Sequence, residues 1–121
     1  MTTMDEQEFK DRTKNLALRV INLVDSLPLG RPAMAVIGRQ LLRSATSIGA
    51  NYRAACPGKS VADVVSKLAV VEEEADEALY WMELLIESSL VSSGRLDDLM
   101  RETNEITAMV VASIKTLKRR M

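Results

Sequence analysis

Residues 43–56 read RSATSIGANYRAAC, with an arginine near each end and Ser, Thr, Ala and Gly between them. Standing alone these small residues make a weak helix. Yet Ile37, Leu41, Ala45, Ile48, Tyr52 and Ala55 recur at helical spacing, which is one apolar face. The stretch is therefore a helix with two surfaces. One packs into a core, where Tyr52 needs a partner for its hydroxyl. The other, with Arg43, Thr46, Gly49, Ala50 and Arg53, has low relief and charge at its ends. Gly49 costs about 1 kcal/mol relative to Ala within a helix, a penalty that close approach of another helix offsets. Ser47 and Asn51 lie between the faces as candidates for a polar network.

Working outward, LPLGRP (27–32), CPGKS (56–60) and VSSGR (91–95) divide the chain into four segments of helical length. The first carries Phe9, Leu16, Val20, Leu23 and Leu27 on one face. The third carries Val64, Leu68, Val71, Ala75, Leu79, Met82 and Ile86, and the fourth Leu96, Leu99, Thr103, Ile106, Val110, Ile114 and Leu117. Pro32 suits a first helical turn. Ser60 with Asp63 resembles a capping box with Asp in place of Glu. Lys115, Lys118, Arg119 and Arg120 suit the negative end of a helix dipole. Short breaks between long helices predict an all-α, antiparallel, up-down-up-down four-helix bundle, one domain over residues 1–121.

Composition agrees. Aromatics are 3% of 121 residues, with only 5 Gly and 3 Pro, which disfavours a sandwich or barrel. The net charge of −1 speaks against a surface that clings to phosphate everywhere. A single cysteine, Cys56, forms no internal disulfide and points to a reducing compartment. The opening MTTMDEQEFK has no apolar signal core, and no apolar run reaches the roughly 18–20 residues of a membrane span. The expected location is the cytoplasm.

Chemistry-bearing motifs fall short of an active site. Gly58-Lys59-Ser60 ends like a phosphate-binding loop, but the glycine such a loop needs five residues before Gly58 is Arg53. Carboxylates cluster at 72–77, yet the chain has no histidine, so neither a di-iron site nor the commonest general base is available. Cys56 stands at a C-terminal helix end, which does not lower a thiol's pKa. The expectation is no enzyme, no cofactor and no metal.

The outer faces carry more apolar area than a lone bundle needs. On the third helix Val70, Tyr80, Trp81 and Leu84 lie off the core stripe among Glu73, Glu74 and Glu77. On the second, Arg39, Leu42, Arg43, Thr46, Gly49 and Ala50 lie opposite the core. Residues 31–59 hold five bases and no acid, whereas 60–90 hold eight acids and one base. Two readings follow. The basic face of one copy meets the acidic, Trp-bearing face of the next, a heterologous contact that closes into a ring. Alternatively the second and third helices pair these charges within one chain.

QLLRSATSIGANYRAAC (40–56) and KSVADVVSKLAVVEEEADEALYWMELL (59–85) resemble the four-helix-bundle family known as 23S rRNA intervening-sequence proteins. That resemblance implies a bacterial cytosolic protein, an antiparallel bundle and often a ring-shaped homopentamer, with no catalytic chemistry to carry over. A related branch is the accessory protein of diversity-generating retroelements, a basic pentamer that binds nucleic acid; this chain is slightly acidic instead. Two functions compete: a self-assembling scaffold or adaptor for a further partner, and a structured-RNA accessory using Arg53, Lys59, Lys118, Arg119 and Arg120.

Overall fold

The computed structural model describes residues 5–121 and contains four helices, α1 (Glu6–Asp25), α2 (Pro32–Ala55), α3 (Val61–Glu87) and α4 (Ser93–Lys118), with no strand among the described residues. The first four residues of the acidic N-terminal stretch lie outside this range. Helix starts follow the chemistry of their caps. Asp5 Oδ1 accepts the Gln7 N–H at 3.2 Å, and Pro32 opens α2. Ser60 Oγ accepts the Asp63 N–H at 3.1 Å. Asp63 returns the bond to the Lys59 amide rather than to that of Ser60, a variant of the expected box.

The third break differs from the glycine-based reading. α3 ends at Glu87, and Gly94 and Arg95 already belong to α4. The chain turns at Ser89, which has φ 61°, the left-handed conformation usually given to glycine. Ser89 N–H bonds to the Ile86 carbonyl at 2.9 Å and Leu90 N–H to that of Leu85 at 3.0 Å, the paired bonds of a Schellman end. Gly58 has a different purpose: a Cβ there would collide with the Val64 side chain in the first turn of α3.

Each helix buries residues in alternating steps of three and four. α1 uses Phe9, Thr13, Leu16, Val20 and Leu23, and α2 uses Met34, Gly38, Leu41, Ala45, Ile48, Tyr52 and Ala55. α4 uses Leu96, Leu99, Thr103, Ile106, Val110, Ser113 and Leu117. This 3.5-residue repeat keeps one seam inward along the whole helix. On α3 the repeat corrects the expected stripe. Leu68, Val71, Ala75, Ala78, Met82 and Leu85 are buried, while Val64, Leu79 and Ile86 are only half-buried. Leu79 is larger than Ala78, but a second consecutive step of four, from Val71 through Ala75 to Leu79, drifts off the seam. For the same reason Ile37 is half-buried, and Met34 and Gly38 hold the seam.

Neighbours in sequence pack together, and α1 also packs on α4; the backbones of the diagonal pairs lie farther apart. Thr13 of α1 lies over Gly49, where a Cβ would stand 3.0 Å from its Oγ1, and Val24 and Leu27 lie near Gly38. The α1–α4 seam is the thinnest of the four. There Arg12 donates to both oxygens of Glu102 at 3.0 and 2.6 Å and to Glu105 at 3.1 Å. Hydrogen bonding and charge from Arg12 hold the Glu102 carboxyl below its ordinary pKa.

Two expectations follow. Replacing Ser89 with Gly relieves the left-handed strain and raises unfolding free energy by about 0.5–1 kcal/mol in urea, while Ser89→Val lowers it. A carboxyl whose folded pKa is depressed stabilises above its unfolded value near 4.3 and loses that contribution as pH falls through the folded value. The stability gap between the unaltered chain and Glu102→Gln is therefore about 1–2 kcal/mol at neutral pH and closes between roughly pH 5 and 3, measured by thermal melts across that range.

Candidate assembly surfaces

The outer residues of α2 divide between two seams. Arg43 leans toward α3, where its guanidinium pairs with Glu74 at 3.4 Å and more closely with Glu77. Gln40 accepts from Arg43 Nε at 3.2 Å. Trp81 joins the same cluster, its indole N–H donating to Glu77 at 3.2 Å. Arg43 and then Trp81 hold the Glu77 carboxyl below the usual range. The intrachain pairing thus describes Arg43. Trp81 is half-buried and packs on the core, as does Leu42, and Leu84 is half-buried too.

Tyr80, next to Trp81, is the outward aromatic. It is 52% exposed and meets the Trp81 ring edge-on with centroids 5.0 Å apart. Val70, Glu73, Asp76 and Glu83 are exposed on the same helix. A hollow of ≈ 320 Å³ on the α3–α4 seam is lined by Glu72, Glu73, Asp76, Ala69 and Thr107, so its side chains are mostly acidic.

Across the bundle, the α1–α2 seam has the opposite character. Lys10, Lys14 and Arg53 surround a groove of ≈ 430 Å³ whose floor is Thr13, Ala17, Thr46, Gly49 and Ala50. The threonines return their hydroxyls to their own helices, to Phe9 O at 3.0 Å and Leu42 O at 2.8 Å. Lys10 pairs with Glu6 at 3.2 Å, while Lys14 and Arg53 form no ion pair among the described residues. Gly49 therefore serves the approach of α1 of its own chain. Arg39 is exposed farther along α2.

The remaining candidates are more ordinary. Ser47 and Asn51 bond back to the carbonyls of Arg43 and Ser47 at 2.7 and 2.8 Å. Tyr52 is buried against Phe9, ring centroids 4.4 Å apart, and its hydroxyl finds no protein partner. Burial raises the pKa of both the Tyr52 phenol and the Cys56 thiol, so Cys56 is no ready nucleophile. Lys59, Lys118, Arg119 and Arg120 are exposed.

Sequence reasoning missed α1. Leu18, Ile21, Leu29 and Val36 are exposed on α1, the α1–α2 loop and the start of α2. The off-stripe test that flagged α3 finds Leu18 and Ile21 equally well. Trp81→Ala is expected to lower stability by about 1–3 kcal/mol because it opens a seam inside the chain. Tyr80→Ala stays within about 0.5 kcal/mol; urea titration of both variants separates the two roles.

Residues 5–112 match the 23S rRNA-intervening sequence protein family. No curated protein matches the chain. Among solved structures, the crystal structure of a protein of unknown function from the S23 ribosomal protein family of Bacteroides thetaiotaomicron VPI-5482 is similar. The two are 35% identical, over 88% of this chain and 98% of that one, with a TM-score of 0.81. The match runs from the cap of α1 into α4 and through every seam described above, and the chain belongs to the 23S rRNA-intervening sequence protein family.

Proposed function

We propose that this chain is a non-enzymatic, self-assembling four-helix bundle whose homopentameric ring acts in the bacterial cytoplasm as a scaffold or adaptor. The helices run up, down, up and down. Thr13 and Val24 of α1 meet Gly49 and Gly38 in reverse order, and Arg12 and Ser26 likewise meet Glu102 and Arg95 in reverse order. The observation that carries assembly is the exposed Tyr80 and Val70 on α3 beside Glu73, Asp76 and Glu83, which form no ion pair among the described residues, in a protein whose core is already built without them. An outward aromatic in a charged rim is the composition of a contact surface. The number five rests on the family resemblance. No described helix is long and apolar enough to cross a membrane.

The RNA-accessory reading draws on a local cluster. Arg53 and Lys59 stand at the end of α2 and in the following turn, and Lys118–Arg120 close α4. Leu117 shares a cavity with Ala55 and Cys56, which puts both helix ends at one end of the bundle. Phosphate contacts of this kind weaken steeply with salt. Light scattering after size exclusion is expected to give five times the 13.4 kDa chain mass, with no shift of RNA in a low-salt gel. A monomer, or a salt-sensitive RNA shift by a monomer, overturns the scaffold reading.

A further inference from the structure

We propose that the basic groove between α1 and α2 is the acceptor for the acidic ridge of α3 on a second copy of this chain. The inference rests on the ring reading and names its two halves. The acceptor has a floor of Ala17, Gly49 and Ala50, low enough for a ridge to settle into, and walls of Lys14 and Arg53 without carboxylate partners among the described residues. The donor is the outward line of α3. Glu73 and Tyr80 are seven residues apart and share one stripe, with Asp76 and Glu83 seven apart on the next. Acid flanking an exposed aromatic matches base flanking a shallow apolar floor.

Position also favours this pairing. The helices pack in a closed square, so the α1–α2 seam and the α3–α4 seam lie on opposite sides. A protomer with base on one side and acid on the other joins head to tail, whereas a two-fold contact would set like charges together. The groove has apolar continuation as well. Ile21 lies seven residues beyond Lys14 on the same stripe of α1, and Leu18 lies beside it; both are exposed. A phosphate backbone gains little from such residues, but a protein face with Tyr80 and Val70 gains apolar burial.

Charge reversal tests the pairing on the full chain. Lys14→Glu with Arg53→Glu is expected to weaken self-association by roughly 100-fold, and so is Glu73→Lys with Asp76→Lys. All four changes in one chain restore the complementary pair and the assembly. Circular dichroism checks that each variant keeps its helices; the sites are exposed, and native helicity is expected throughout. Reversals that leave the mass unchanged overturn the pairing, as does a four-fold variant that stays monomeric with native helicity. Assembly unchanged with RNA binding abolished by the Lys14 and Arg53 reversals overturns it in favour of a nucleic-acid groove. An unaltered chain that is itself monomeric overturns the ring instead.

Discussion

Everything in this bundle depends on a single spatial demand: each helix must present one seam to its two neighbours for five or more turns. A straight stripe at the natural helical period drifts away over that length, so the buried positions alternate by three and four on every helix. The demand explains why small residues recur inside. Ala45, Ala75, Ala78 and Gly38 stand at seam positions, while the larger Ile37 and Leu79 beside two of them fall off the seam. It also explains the polar residues of the core. Of these, Ser113 finds no protein partner, whereas Thr13 and Thr103 at seam positions, and Ser44 beside one, each return the hydroxyl to a carbonyl of their own helix at 2.7–3.0 Å. They need nothing from neighbouring helices.

A core of this kind fixes which side of each helix faces inward but constrains sliding weakly. Two arginine clamps supply the missing register. Arg12 of α1 grips Glu102 and Glu105 of α4, and Arg43 of α2 grips Glu74 and Glu77 of α3. In both cases one guanidinium spans two carboxylates three residues apart, and so about one turn apart, on the facing helix. The planar fork suits that geometry better than a lysine does. Each pair is partly exposed and contributes modestly to stability. Its larger effect is geometric, because a slip by one turn would leave a guanidinium facing the wrong residues.

Most of the fold was legible in the residues, since Gly, Pro and apolar spacing report helix ends and faces directly. The errors have local causes. A search for glycine placed the third break at Gly94, while the turn is made by Ser89, whose left-handed conformation carries no mark in the sequence. Leu79 outweighed Ala78 as a core candidate because size is visible in a sequence and seam geometry is not. The assembly surfaces were legible only in outline. Charge segregation between α2 and α3 was plain, but side-chain reach decides which charges are spent inside the chain. Arg43 and Trp81 proved to serve the α2–α3 seam, and the exposed residue is Tyr80.

The clamps also decide what is left over. They lie on the α1–α4 and α2–α3 seams, and no ion pair crosses the other two among the described residues. Cations remain unmatched on the α1–α2 seam and carboxylates on the α3–α4 seam, although the net charge is only −1. A nearly neutral chain is thereby polarised from one side to the other. Internal register and external complementarity then come from one allocation of charge. The pairs that lock the helices empty two sides of the bundle of opportunities and leave the remaining two, opposite in sign, for the neighbour that the proposed ring supplies.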